Sequence, residues 1–563
     1  MNDLTLEPRS HRLVLKAGSF SVWFPTLIAL SLMLPGLASR GPLDGHEVLV
    51  AQTAREMLQR GDWVHPTFAG GPRYQKPPLA YWLAATSYRV FGVSNPFTAR
   101  LPTALATVAT TALLAWFSSR AFGATIGLLT GLVFTTTYAT IAYGKLALVD
   151  GQLVLCVATA ILAAGADRWS GKRLPNSFWV LTFWIATGLS VLAKGPIGPA
   201  IVLPTVLLYR GVRKTWSSDR PFLLHPATLV GVPLFLVLAL GWPLLVWQEQ
   251  PQAASIWKAQ SLDRYLEHWG PSNRPWFYYF YQAPLLTLPW SPLWLLGLGL
   301  TLRRLWRRRL GDHRLLLLCW FLVSLTLLSF SAGKRDHYIL PGLPPLALFA
   351  ALGLCRLVLI TRGFLVGRRE WEPIVAGLFL LVGGGIGIGL SVAYENTWLT
   401  VGVFGVTLAI VLALMLLRRW DRRDRRLRPV VVGFGAVAVA WLIGDVSLRS
   451  FFQGRDGTLA LLRRQRDLLD EADEVVQFGS NDRWTAFPIG RPIIWSRSAE
   501  SFPTIETAGR TIVVLVPRDR LEMLESVAPF HVVDRIEGDR SPAEHSPRRD
   551  FAVVRLEAGG TRR

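Results

Sequence analysis

Apolar stretches of roughly twenty residues, parted by short polar segments, recur along most of the 563-residue chain. As a helix, each is long enough to cross a hydrocarbon layer about 30 Å thick. A hydropathy reading gives about thirteen of them. They centre near residues 29, 110, 132, 157, 186, 203, 236, 292, 322, 349, 382, 408 and 438, and the sixth is short and proline-rich. The first follows Arg9, Arg12 and Lys16 and outruns a usual signal-peptide core, so an uncleaved span is expected. Two long polar intervals, 40–100 and 248–281, mix Trp, Tyr and His with charges. Within the former, Gln52–Gln59 and Leu79–Tyr88 read as amphipathic helices lying in the interface plane.

Beyond about residue 447 the long apolar runs stop. Segments Glu474–Phe478, Pro492–Trp495, Thr511–Val516, His531–Arg535 and Phe551–Arg555 read as short strands, with Asp519–Val527 helical between them. The expected fold class is therefore mainly α and polytopic: a transmembrane domain over 1–446 and a small soluble α/β domain over 447–563.

Charge placement orients this arrangement. The formal net charge is +22, which would suit nucleic acid, but Lys and Arg gather in short clusters between apolar runs, at Arg303–Arg309 and Arg418–Arg428 above all. Alternate loops hold these clusters, and the opposite set has about half as many cations, the pattern that fixes an N-terminus on the cytoplasmic side. Nucleic acid is thereby excluded as a partner. Loops 40–100, 143–150, 248–281 and 331–337, and the C-terminal domain, are then expected outside, on a bacterial inner membrane. Cys156, Cys319 and Cys355 lie inside apolar runs and show neither disulfide nor metal spacing.

Candidate chemistry collects in the outer loops. Asp44-Gly45-His46-Glu47 puts two carboxylates and an imidazole within four residues, a set able to act as a base or to bind a divalent cation. Arg55-Glu56-Met57, Gly61-Asp62-Trp63 and Tyr74-Gln75-Lys76-Pro77-Pro78-Leu79 follow. The proline pair lets a helix start only after Lys76, so the ammonium is held near a helix N-terminus, where a phosphate is favoured. Further along stand Asp150, Lys194-Gly195-Pro196, Arg264-Tyr265, Arg274-Pro275-Trp276 and Gly333-Lys334-Arg335-Asp336-His337-Tyr338. The topology sets Asp44, Glu47, Lys76, Asp150, Lys194, Arg264, Lys334 and Tyr338 at one level on one side of the membrane.

The run from Asp44 to Pro102, with the later motifs just quoted, resembles the bacterial protein O-mannosyltransferases and the 4-amino-4-deoxy-L-arabinose transferases that modify lipid A. The resemblance extends over roughly residues 20–345 and implies GT-C architecture. It also implies a polyprenyl-phosphate sugar donor, a lipid, glycan or protein acceptor, and single displacement with inversion. Tyr74, Lys76, Lys194, Arg264, Lys334, His337 and Tyr338 then bind substrate, Asp44 or Glu47 serves as base, and Asp150 orients. This chain departs from the family's pattern in places. His46 stands where the family has the Asp of an Asp-Glu pair, and Gln75 and Ser261 replace a Glu and a His tied to a metal in the lipid A transferases. Asp44, His46 and Glu47 are the weak candidates for a possible divalent cation.

Two competing classes are a transporter or flippase of lipid-linked sugars and a non-catalytic assembly protein. The former calls for broken, polar segments at mid-membrane, and only Gly383–Gly387 has that look.

Overall fold

A computed structural model describes residues 14–38, 43, 45–166, 177–212, 222–266, 274–365, 457–478, 485–489, 493–496, 510–517, 520–525, 529–535 and 551–556. The last three expected spans, the Gly383–Gly387 stretch and Asp44 lie outside these residues. Two compact units emerge. One comprises residues 1–37, 74–83 and 100–448; the other comprises 38–73, 84–99 and 449–563.

The helices before the second long loop are α1 (Val14–Met33), α2 (Gly45–Arg60), α3 (Leu79–Phe91), α4 (Pro96–Phe122), α5 (Ala124–Thr136), α6 (Tyr138–Gly144), α7 (Asp150–Ala166), α8 (Ser177–Lys194), α9 (Ile197–Val212) and α10 (Thr228–Glu249). After it come α11 (Ala253–Lys258), α12 (Arg264–Leu266), α13 (Tyr278–Leu286), α14 (Ser291–Trp306), α15 (Asp312–Phe330) and α16 (Pro344–Leu365). Four of them, α4, α8, α10 and α15, are long and apolar enough to span a membrane, and the total among the described residues rises to seven if each bent pair counts as one span. The chain is a polytopic membrane protein. Several of its buried threonines fit such a setting, because their hydroxyls bond inside their own helices. Thr107, Thr110 and Thr111 of α4 donate to Thr103, Ala106 and Thr107 carbonyls at 2.8–3.1 Å, which removes an unpaired polar atom from an apolar setting.

The three bent pairs position the site. α5 and α6 meet at 57°, α13 and α14 at 119°, and the 3-10 segment Asp336–Gly342 and α16 at 66°. Two of the breaks are stitched together: Tyr138 N–H donates to the Leu288 carbonyl at 3.0 Å and the Trp290 indole to Thr136 Oγ1 at 3.0 Å. Residues from all three breaks (Thr137, Thr287, Trp290 and Leu343) line one small apolar cavity. A broken helix normally leaves orphan backbone groups in the bilayer; here the Tyr138 N–H and the Leu288 carbonyl satisfy each other across two of the breaks.

Close backbone contact fixes α14 on α16. A Cβ at Gly297 would lie 1.9 Å from the Phe349 carbonyl oxygen, and one at Gly353 would lie 2.1 Å from that of Leu293. Small residues of this kind let membrane helices pack where no hydrophobic force drives them together.

In the second unit, α2 packs with a hairpin of β1 (Thr67–Phe68) and β2 (Gly71–Pro72). The C-terminal strands are β3 (Glu474–Phe478), β4 (Ile494–Ser496), β5 (Ile512–Pro517), β6 (Phe530–Arg535) and β7 (Phe551–Leu556), ordered β4-β3-β5-β7-β6. β3 runs parallel to β4 and β5, and β7 antiparallel to β5 and β6. β5 is buried along its whole length, as its unbroken apolar run requires of a strand covered on both faces. Each segment read as a strand overlaps a strand, and Leu521–Glu525 is helical within the expected helix.

Gly297→Ala should destabilise the folded protein by about 1–3 kcal/mol through overpacking. Gly299→Ala, with nothing within 4 Å of its Cβ, should leave the midpoint unchanged or raise it; thermal unfolding in detergent compares the two.

Candidate functional site

The site in the first unit grows from two helix ends. Asp150 opens α7, where the positive end of the helix dipole favours a carboxylate. Lys194 closes α8, where the negative end favours an ammonium. Gly195, at φ +78°, ends α8, a conformation that glycine takes without strain. Neighbouring and antiparallel, α7 and α8 bring these ends together, and Lys194 Nζ donates to Asp150 Oδ1 at 2.5 Å. Only 4% of the Asp150 side chain and 12% of the Lys194 side chain is exposed. Breaking such a pair strands a charge in an apolar setting, while removing both charges need cost little.

Further groups complete a cluster. His337 Nε2 lies 3.9 Å from Asp150 Oδ2. The Lys194 ammonium sits 4.3 Å from the centre of the Tyr338 ring, a cation–π contact of about 0.5–2 kcal/mol. Lys76 is within electrostatic reach of Asp150. The helix break places His337 and Tyr338, because the 3-10 segment turns consecutive side chains toward different partners. Asp150, Lys194, Lys76, His337 and Tyr338, singled out from sequence, are therefore one group.

The remaining candidates fall elsewhere. Tyr74 is buried and its carbonyl accepts the Trp257 indole N–H at 2.9 Å. Lys334 is buried, and its ammonium donates to the Ser331 carbonyl at 2.5 Å; burial pulls its pKa down. Arg264 opens α12, and its side chain, like Asp44, is outside the described set. Glu47 is buried in the first turn of α2, in the second unit, with His46 exposed beside it. No group of three or more His, Cys, Asp or Glu able to hold a metal occurs among the described residues.

Sequence reasoning missed several neighbours. The Tyr143 ring packs 5.6 Å from that of His337. Asp336 takes hydrogen bonds from Arg274 and from the Tyr278 hydroxyl. The Tyr279 hydroxyl donates to the Arg335 carbonyl at 2.8 Å, and Ala332 N–H to the Tyr265 carbonyl at 2.8 Å. The second long loop is thus fastened to the segment that carries His337 and Tyr338. Asp336 next to His337, facing an Arg in an aromatic loop, was the available signal.

Two motifs of the first loop prove to be scaffold. Asp62 Oδ1 accepts the backbone N–H groups of Val64 and His65, both at 2.9 Å. Burial pushes its pKa up, but those backbone bonds and His65 outweigh it and hold the carboxyl below its usual range. Glu56 accepts from Thr67 Oγ1 at 2.6 Å, Ala69 N–H at 2.7 Å and Gly70 N–H at 3.2 Å. Ala69 and Gly70 both have positive φ, so the carboxylate secures the primed turn that joins β1 to β2.

The chain resembles known proteins over this framework. A family model described as dolichyl-phosphate-mannose-protein mannosyltransferase matches residues 48–246. An undecaprenyl phosphate-alpha-4-amino-4-deoxy-L-arabinose arabinosyl transferase of Enterobacter sp. (strain 638) is 27% identical over 357 residues, 62% of each chain. ArnT from Cupriavidus metallidurans, solved with undecaprenyl phosphate bound, superposes with a TM-score of 0.78 at 20% identity, covering 96% of this chain and 99% of that one. The fold is GT-C. The GT-C frame extends to the oligosaccharyltransferase AglB of Archaeoglobus fulgidus, at TM-score 0.54 and 12% identity over 91% of this chain and 70% of that one. The resemblance read from the motifs, to protein O-mannosyltransferases and aminoarabinose transferases, is borne out.

Lys194→Met alone should destabilise the protein by about 3–5 kcal/mol, and Asp150→Leu with Lys194→Met should recover most of that loss. Thermal unfolding of the two variants checks this, and equal losses would show that the pair carries no buried charge.

Proposed function

We propose that the chain is a membrane glycosyltransferase that moves a sugar from a polyprenyl-phosphate donor to a lipid, glycan or protein acceptor on the outer face of the membrane. The observation that carries this reading is the Asp150–Lys194–His337–Tyr338 cluster at the helix ends of a GT-C frame, with Lys76 in electrostatic reach. The Enterobacter relative is named for undecaprenyl phosphate-linked aminoarabinose, and the resemblance to the transferases that modify lipid A adds an acceptor, so that pair is the first combination to test.

Breaking the bond between the anomeric carbon and the phosphate oxygen sends the electron pair to the phosphate. Cations set where that charge develops stabilise the transition state. Lys76 and Lys194 take this role, with Arg264 and Lys334 as further phosphate-side candidates. Asp150 holds Lys194 and His337 in place. The acceptor hydroxyl gives its proton to a carboxylate, Glu47 or Asp44, as its oxygen bonds to the anomeric carbon from the opposite face, which inverts the centre. Tyr74, His337 and Tyr338 line the sugar's side. Gln75 offers a neutral amide and Ser261 a hydroxyl where a divalent ion favours charged or imidazole donors. That donor set does not fit a metal, and the roles above rest on side chains alone.

The orientation reading has an N-terminus inside and thirteen spans, with a C-terminal α/β domain outside. Residues 449–563 share a compact unit with residues 38–73 of the first long loop. An even number of spans between them, as the twelve after the first would be, puts both on the same side of the membrane, which supports the count. Transport would rest on Gly383–Gly387, and the charged groups described above collect at helix ends instead.

Purified protein in nanodiscs, given labelled undecaprenyl-phosphate aminoarabinose and lipid A, should transfer the sugar. Asp150→Asn and Lys194→Met should each lower kcat on the order of 10²-fold. Undiminished turnover in an Asp44→Asn, Glu47→Gln, Asp150→Asn triple variant would sink the site assignment. For orientation, a cysteine placed at the exposed Glu525 should react with an impermeant maleimide added from the periplasmic side; protection until the membrane is breached would refute it.

A further inference from the structure

Arg55 belongs to a motif that the catalytic reading leaves unused, yet the guanidinium is buried and bound on every side. Nε donates to Ser94 Oγ at 3.0 Å and Nη2 to the Ser94 carbonyl at 3.3 Å. Nη1 donates to Gln52 Oε1 at 3.2 Å and to the Phe487 carbonyl at 2.8 Å. Its Cζ lies 3.9 Å from the centre of the Phe487 ring. The Phe487 contact reaches from the first long loop to the C-terminal segment, 432 positions away, within the second compact unit.

Phe487 sits in the short helix Ala486–Ile489. Its carbonyl and that of Pro488 are orphan acceptors at the negative end of a single turn. Arg55 caps one, and Arg466 caps the other at 2.8 Å. Two guanidinium groups thus grip one turn, one from α2 and one from the C-terminal segment. Burial and the nearby Arg466 both lower the Arg55 pKa, while Tyr88 and Glu56 oppose them; the cost of bringing these like charges together is met by bonds that only this arrangement offers. A second contact lies alongside, the Phe68 ring of the hairpin stacking on Trp495 of the edge strand β4 at 6.4 Å. Adjacent residues of α2 therefore hold both: Arg55 grips the C-terminal helix, and Glu56 secures the hairpin that bears Phe68.

We propose that the C-terminal segment is a positioning element for α2, with Arg55 clamped on Phe487 so that the helix bearing Glu47 keeps a fixed rotation and depth. Glu47 lies roughly two turns, about 12 Å, from Arg55 along the same helix, so a tilt at one end displaces the other. The consequence for catalysis rests on the proposed role of Glu47; the clamp itself does not.

The test uses the full chain in nanodiscs. Phe487→Ala should speed hydrogen exchange of the α2 amides from Glu47 to Met57 by about tenfold or more. It should also lower kcat by about tenfold or more while the donor KM stays within about twofold, since misplacing a base costs rate rather than binding. Phe487→Tyr, which keeps ring and carbonyl, should match wild type. Arg55→Lys, which keeps the charge and loses the planar fork, should reproduce Phe487→Ala. If Phe487→Ala does not fold, Phe487→Leu removes the ring alone and reads the same two quantities. Unchanged exchange in α2 overturns the clamp, and faster exchange with a raised KM at constant kcat overturns the positioning of Glu47 as a base. A wild-type protein that transfers no sugar from a polyprenyl-phosphate donor defeats the proposed function instead, and the exchange result still decides the clamp.

Discussion

A carboxylate buried at the end of a membrane helix cannot stay charged alone, and that constraint organises the first unit. Asp150 draws Lys194 to 2.5 Å and His337 to 3.9 Å, and Lys194 in turn lies against the face of Tyr338. Each partner comes from a different element, so satisfying one charge fixes three backbone segments relative to one another. The helix dipoles of α7 and α8 favour the same placement. The pair is weak evidence for stability, since two apolar residues could replace it. What it does fix is the placement of the segments that carry its partners.

Broken helices supply that setting with its remaining groups. An unbroken span would carry Tyr143, Tyr278, His337 and Tyr338 at helical spacing on separate rods. Breaks of 57°, 119° and 66° free the short pieces to turn, and the Tyr138–Leu288 and Trp290–Thr136 bonds keep two of the breaks from fraying. Polar backbone at a break in a bilayer is tolerated only when protein surrounds it, and here the cost of the break is met where the short polar pieces are needed.

In the second unit, neighbouring charges on α2 do opposite jobs. Arg55 reaches a helix 432 positions away, and Glu56 folds back on a turn only 13 and 14 positions along. What reads in one dimension as a single charged motif is two separate ties. Asp62 likewise serves its own loop, with Oδ1 taking two backbone N–H groups and Oδ2 facing Arg60 and His65.

The sequence by itself determined the elements. Apolar runs set the helices, short β-branched and aromatic segments set β3 to β7, and Pro77-Pro78 set the start of α3 at Leu79, because these depend on local propensity and on transfer from water. It also named the members of the charged cluster, since Asp150, Lys194 and His337 stand at ends of apolar runs where an ionisable group is costly without a purpose. Only the tertiary structure decided which of them meet. Tyr143 carries no local mark of partnership, the motifs that hold Arg274 and Asp336 do not say that the two meet, and Lys334, so like Lys194 in its setting, turns back onto Ser331. Partnership between distant side chains is fixed by how helix ends and breaks pack. Hydropathy, which records only burial, is blind to that.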